Sequence, residues 1–272
     1  MQNFTVELKE VYPVKGGKLT AYVVDTYTRP AVVVVPGGGY GFVSPREGEP
    51  IVLEFLQRGY NCFVLDYTIG GPNGASYPEQ FLQLAAAIDY VKKNAETLRV
   101  VANEVYAVGA SAGGHLVGTV AVNWQNASAI MGKEVDCKLT AVGLMYPVIS
   151  KIDGHQGSYN NLLYGYSDEE KEKLMPLLNL NEAVTPQAPP AFLFTTVTDT
   201  VVPPSNAIRY ALACGENKVP YELHVYPVGR HGLSTAKPEV NAGFEAEIYP
   251  SMKNWLDECH VFFTYCAKQQ KA

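Results

Sequence analysis

Val105-Tyr106-Ala107-Val108-Gly109-Ala110-Ser111-Ala112-Gly113-Gly114-His115 is the stretch whose reading decides the fold. Its first four residues are a strand-like apolar run, the next five are G-x-S-x-G, and residues 115–122 read as a helix. A strand that passes directly into a helix must turn sharply. A serine at the tip of such a turn projects its Oγ into a cleft, and small neighbours are needed because the backbone passes close to adjacent elements. Ala110, Ala112, Gly113 and Gly114 meet that demand. The plainer reading is a Gly/Ala-rich helix start with an ordinary serine, and the strand-then-helix context favours the nucleophile.

Outward from this point, further strand-like runs fall at 31–35, 62–65, 139–145, 191–197 and 221–226, with helical patterns between most of them. Phe81, Leu84, Ala85, Ile88 and Val91 form one helical stripe, with Pro78 suited to its first turn. Ile248, Met252, Trp255, Leu256, Cys259 and Phe262 form another. Alternating strands and helices imply right-handed crossovers and a mostly parallel sheet with helices on both faces, an α/β fold. Residues 5–11 and 19–25 are expected to add an antiparallel pair at the edge, joined around Gly16 and Gly17. Between Tyr146 and Pro190 the composition shifts to Gly, Asn, Tyr and a charged stretch at 168–173, which predicts a small cap insertion at about 147–190 within a single domain, 1–272.

Composition agrees with a globular enzyme. The chain has 272 residues, 47% hydrophobic and 18% charged, enough to bury a sizeable core. A net charge of −6 gives no electrostatic reason to approach nucleic acid or an anionic membrane. The five cysteines show no C-x-x-C pair and their number is odd, so free, buried thiols are expected. The first ten residues lack the basic start and apolar run of a signal peptide, which predicts a cytoplasmic setting. A homo-oligomer is compatible with the sequence.

A serine hydroxyl needs a base within hydrogen-bond reach, itself oriented by a carboxylate. Of five histidines, His231 lies in Gly229-Arg230-His231-Gly232, a loop at the C-terminal end of the last predicted strand. His224 sits inside that strand, His115 one helical turn beyond Ser111, and His155 and His260 in the cap and the terminal helix, where scaffold or surface roles are expected. Asp199 follows the run 191–197, with Pro203 and Pro204 placed to begin a helix, and gives the chain order Ser, Asp, His; Asp136 and Asp153 end no clear strand. The catalytic candidates are therefore Ser111, Asp199 and His231.

The oxyanion of a tetrahedral intermediate needs preorganised N–H donors. Pro36-Gly37-Gly38-Gly39-Tyr40 follows the run 31–35, and its glycines let backbone N–H groups face a cleft. Gly38, Gly39 and Ala112 are the candidate donors. A phosphate loop is the competing reading, but positions 37, 39 and 42 are Gly, Gly and Phe, and no Walker sequence occurs. Pocket walls are expected from Tyr40, Tyr67 and Tyr146 and from cap residues such as Tyr159, Leu162, Leu163 and Tyr164. Arg46 and Glu47 are expected to lock the glycine loop through an ion pair.

In this order the sequence resembles the α/β-hydrolase superfamily, and more closely its small carbohydrate-esterase branch, the acetyl-xylan-esterase-like proteins. The likeness runs from about Ala31 to Leu256 and is carried by 36–40 with Ser44-Pro45-Arg46-Glu47, by Asp66-Tyr67, 109–115, Asn161-Leu162-Leu163, 198–204 and His231-Gly232-Leu233. The resemblance implies deacetylation of sugar or xylo-oligosaccharide esters with no metal and no cofactor, and catalytic roles for Ser111, Asp199 and His231. Pro36 stands where relatives of the hormone-sensitive-lipase type carry His, a departure that bears on loop geometry. Within the same chemistry, an amidase or peptidase is the rival reading; outside it, a non-catalytic binding protein on a hydrolase fold.

Overall fold

The computed structural model describes residues 1–271. In chain order the elements are β1 (Gln2–Glu7), β2 (Lys18–Val23), β3 (Arg29–Val35), α1 (Glu49–Gln57), β4 (Asn61–Asp66), α2 (Glu79–Lys93), β5 (Val100–Ala110), α3 (Ala112–Asn123), α4 (Ala127–Met131) and β6 (Val142–Met145). They continue with α5 (Gln156–Leu162), α6 (Asp168–Leu178), α7 (Leu180–Ala183), β7 (Ala191–Thr196), α8 (Ser205–Glu216), β8 (Tyr221–Tyr226) and α9 (Trp255–Lys271). The eight strands form one sheet in the order β1-β2-β4-β3-β5-β6-β7-β8. β1–β2 and β2–β4 pair antiparallel, and every other pair is parallel.

Side-chain alternation along the strands divides the core into two layers. Ala31, Val33 and Val35 of β3 pack with Phe81, Leu84, Ile88, Leu116 and Val120 of α2 and α3. Val32 and Val34 face the other way, toward Ile51, Phe55, Trp255 and Phe263 of α1 and α9. Strands buried on both faces explain the continuous apolar runs. The apolar run at 139–145 yields a strand only from Val142, and the terminal stripe splits: residues 250–254 form a 3₁₀ turn and the α-helix begins at Trp255. All five cysteines are free and buried, and burial pushes the thiols of Cys137, Cys214 and Cys266 up to about 12.

The strand order reverses at β3. The chain leaves β3 toward β4 on one side, then crosses to β5 on the other. A cleft therefore opens beyond the C-terminal ends of β3 and β5, where two loops diverge. The β3 loop carries Gly37, Gly38 and Gly39, and the β5 turn carries Ser111. Among the described residues no helix is long and apolar enough to cross a membrane.

Candidate active site

Ser111 occupies the single position between β5 and α3, with φ 53° and ψ −117°, a conformation L-residues rarely adopt. The surroundings over-determine it. Ser111 N–H donates to the Met145 carbonyl, and its own carbonyl accepts from His115 and Val148. Gly113 is required because a Cβ there would lie 2.1 Å from the Val35 carbonyl oxygen at the end of β3. The serine is 8% exposed, enough for Oγ to reach the cleft.

His231 comes from the loop after β8 and Asp199 from the loop after β7. His231 Nε2 lies 2.8 Å from Ser111 Oγ, and Nδ1 lies 2.6 Å from Asp199 Oδ2. The other carboxylate oxygen, Asp199 Oδ1, accepts from Val201 N–H and Val202 N–H, both at 2.9 Å. A carboxylate can only accept, so His231 carries its proton on Nδ1 and presents Nε2 as acceptor to the serine hydroxyl. The two loops are clamped together: Thr196 and Thr198 hydroxyls both donate to the Gly229 carbonyl, and Gly229 N–H donates back to Thr198 Oγ1. The edge of Tyr146 packs against the imidazole, with ring centroids 5.1 Å apart.

Opposite the serine, Gly38 and Gly39 have φ of +125° and +61°. A Cβ at Gly38 would come within 2.1 Å of the Phe42 carbonyl oxygen, so only glycine fits there. The N–H groups of Gly38 and Gly39 have no acceptor among the described residues, and Ala112 N–H, at the first position of α3, has no intrahelical acceptor. Gly38 and Gly39 line the cleft together with Ser111, and Ala112 directly follows the serine in the chain.

Buried side chains hold that loop from beneath. Gly37 N–H donates to Glu47 Oε2 at 3.0 Å, the Tyr146 hydroxyl donates to Glu47 Oε1 at 2.7 Å, and Ser234 N–H donates to the same hydroxyl at 2.9 Å. One chain of bonds thus connects the glycine loop to the loop that bears His231. On the other flank Tyr67 donates to the Pro36 carbonyl at 3.0 Å, and Tyr40 Oη lies 2.9 Å from His115 Nδ1. His115 Nε2 faces the Leu178 carbonyl at 2.9 Å, so it carries the proton, and Nδ1 accepts from Tyr40. Burial pushes the His115 pKa down to about 4, partly offset by the Leu178 carbonyl.

The sequence pattern of the BD-FAE family matches residues 22–212, well over half of the chain. The chain belongs to the BD-FAE family. It is 31% identical over 228 residues to an endo-1,4-beta-xylanase B of Butyrivibrio fibrisolvens, covering 83% of this chain and 36% of the relative. It is 30% identical over 234 residues to an acetylxylan esterase of Xylanibacter ruminicola, covering 83% and 45% respectively. The chain thus spans less than half the length of these two curated relatives.

Solved structures agree over almost the whole chain. An acetyl ester-xyloside bifunctional hydrolase from Caldicellulosiruptor lactoaceticus superposes with a TM-score of 0.82 at 28% identity, covering 97% of this chain and 96% of its own. A carboxylesterase from Lactobacillus plantarum WCFS1 gives 0.84 at 25%, covering 97% and 98%. This BD-FAE member therefore has the α/β-hydrolase fold.

Four tyrosines expected in the pocket wall lie elsewhere in this family member. Tyr40, Tyr67 and Tyr146 are fully buried under the cleft, their hydroxyls spent on His115, Pro36 and Glu47. Tyr164 lies just past the end of α5, is 51% exposed, and borders a separate cavity of about 680 Å³ with Lys15, Tyr77 and Tyr166. Arg46 and Glu47 do not pair with each other. Arg46 donates to the Val240 carbonyl and Asn241 Oδ1, while the Glu47 carboxylate is saturated by the glycine loop and Tyr146.

The cleft holds about 430 Å³ and is walled by Gly38, Gly39, Phe42, Ser111, Val201 and His231 together with His155 and Asn161. Sequence reasoning placed His155 at the surface. Its Nδ1 lies 3.0 Å from Ser158 Oγ, and burial, followed by the nearby His231, lowers its pKa. Asn161 Nδ2 donates to the Gly39 carbonyl at 2.9 Å, tying α5 to the glycine loop. The available signal for both was a polar segment inserted after a strand whose C-terminal end faces the cleft.

Proposed function

We propose that this protein is a serine esterase that removes acetyl groups from acetylated xylo-oligosaccharides through an acyl-enzyme. The observation that carries the reading is the unbroken chain Ser111 Oγ, His231 Nε2, His231 Nδ1, Asp199 Oδ2. Ser111 Oγ attacks the ester carbonyl while His231 Nε2 takes its proton. The carbonyl oxygen gathers charge against Gly38, Gly39 and Ala112, each donor worth a few kcal/mol. Collapse expels the alcohol, which takes the proton from His231. Water then attacks the acetyl-serine, giving its proton to Nε2, and acetate leaves as Ser111 is reprotonated.

Asp199 holds the imidazole tautomer and balances its positive charge during each step. In this reading residues 147–190 are a cap on a single catalytic unit, supplying His155 and Asn161 to the cleft. The sugar preference is supported by the names of the relatives, an acetylxylan esterase and an acetyl ester-xyloside hydrolase among them.

The test is acetate release from acetylated xylo-oligosaccharides by the native protein and by Ser111→Ala. Release that falls at least about a thousandfold in a variant with unchanged circular dichroism and melting temperature is the expected result. No release by the native protein would overturn the substrate; near-native turnover by a folded variant would remove Ser111 as nucleophile.

A further inference from the structure

The reaction requires the leaving alcohol oxygen to come within hydrogen-bond reach of His231 Nε2, because that nitrogen returns the proton. The rest of the alcohol must therefore find room on the His231 side of the cleft. A second cavity, of about 500 Å³, begins there. It shares Val201 and His231 with the cleft, runs over Thr198 and Thr200, and reaches Arg230 and Glu247. Each of the two cavities is of the size that takes a small molecule, ~300–1,000 Å³.

The chemistry of the second cavity is specific. Arg230 lies with its guanidinium carbon 3.7 Å above the centre of the Phe244 ring, which holds the side chain in place without using its donors. Among the described residues neither Arg230 nor Glu247 makes a side-chain hydrogen bond or ion pair to another protein group. A free guanidinium offers donors, and a free carboxylate offers only acceptors. Sugar hydroxyls both donate and accept, so they match this pair. Opposite charges in one cavity favour a neutral polyol over an anion or a cation.

We propose that the cavity over Arg230 and Glu247 is a subsite on the alcohol side that binds the neutral sugar unit next to the acetylated one. The proposal rests on the esterase reading above and adds to it a preference for oligosaccharides over single sugars. Hydrogen bonds to a charged group are strong enough that losing one weakens binding about tenfold.

The experiment measures kcat/KM for acetate release from acetylated xylotriose, from acetylated methyl xyloside, and for p-nitrophenyl acetate, whose leaving group carries no sugar hydroxyls. It uses the native protein, Arg230→Ala and Glu247→Ala. The expected result is a ratio of xylotriose to p-nitrophenyl acetate that falls about tenfold in each variant, through KM, while the ratio of methyl xyloside to p-nitrophenyl acetate stays within twofold. A general disturbance of the neighbouring His231 would lower all three rates together and leave the ratios unmoved. Unmoved ratios in both variants overturn the subsite and leave the esterase reading standing. A native protein that hydrolyses p-nitrophenyl acetate but releases no acetate from xylotriose overturns the subsite and the sugar substrate together; one that hydrolyses none of the three overturns the esterase reading as well.

Discussion

Two regions face the same cleft and are built in opposite ways. Around the ends of β3 and β5, the glycine loop and the Ser111 turn are fixed by buried partners: Glu47 under Gly37, Tyr67 under Pro36, His115 under Tyr40, Met145 against Ser111. In the segment between β6 and β7, His155 and Asn161 reach the cleft from the two ends of the seven-residue helix α5 and stay partly exposed. The first region depends on backbone shape that few sequences can adopt. The second depends on which way a short helix faces, and many sequences can make a short helix. Substitutions should therefore be severe in the first and mild in the second.

The largest effect is expected at Asp199→Asn. Two backbone N–H groups, from Val201 and Val202, converge on Oδ1. An asparagine would turn its carbonyl oxygen to them and its NH₂ to His231 Nδ1. The imidazole would then accept at Nδ1, carry its proton on Nε2, and lose the ability to take the Ser111 proton. We expect kcat to fall by roughly 10³ to 10⁴ with little change in melting temperature. A loss below about tenfold would mean that Asp199 does not set the tautomer.

Glu47→Ala comes next. It strands Gly37 N–H and the Tyr146 hydroxyl in a buried place, and each unmet donor costs about 1–3 kcal/mol. Melting temperature and kcat should both drop, kcat by roughly 10- to 100-fold as the glycine loop proposed to hold the oxyanion loosens. Glu47→Gln keeps one acceptor oxygen and should recover part of each loss. A stable Glu47→Ala protein with native kcat would show that the loop holds its shape without this support.

His115 tests the same region through pH. Its folded pKa is lowered to about 4, against an ordinary value near 6.5 in the unfolded chain. Between those values the unfolded state binds the extra proton, so stability falls as pH drops from about 6.5 to about 4, by about 3 kcal/mol over the window. In His115→Gln the amide oxygen can accept from Tyr40 and the NH₂ can donate to Leu178, with nothing to titrate. Urea melts at pH 7 and pH 4.5 should show the native protein losing more stability than the variant. Equal losses would mean that His115 gains its proton without unfolding.

The contrast between the regions also explains what was legible in the sequence. Ser111, Asp199 and His231 could be singled out because a sharp strand-to-helix turn and the ends of parallel strands leave marks in the chain: small residues at fixed spacing, and polar residues just past apolar runs. Gly38 and Gly39 carry the same kind of mark. A scaffold role for His115 and a loop-holding role for Glu47 were legible, but their partners were not, nor was the place of His155 in the cleft wall. Partners of side chains that are 10 to nearly 200 residues apart in sequence depend on tertiary approach, as when Arg46 bonds Val240 instead of its neighbour Glu47. Tyrosine identity was equally silent, since a ring beneath a loop and a ring in a pocket wall use the same residue.

Tyr164 gives the smallest expected effect and the sharpest check on the second region. Its ring is half exposed beside a cavity that shares no wall residue with the cleft, and its backbone makes the hydrogen bonds: the carbonyl accepts from Ser76 Oγ and the N–H donates to the Asn161 carbonyl. Tyr164→Ala keeps that carbonyl. An exposed substitution of this kind shifts stability by no more than about 0.5 kcal/mol, which in a rate constant is about twofold. We therefore expect kcat and KM on acetylated xylo-oligosaccharides to stay within twofold of native. A tenfold rise in KM would mean that the segment 147–190 swings far enough on binding to bring this ring over the substrate. The mild region would then owe its tolerance to motion, and the division between a rigid and a permissive wall would have to be drawn within that segment itself.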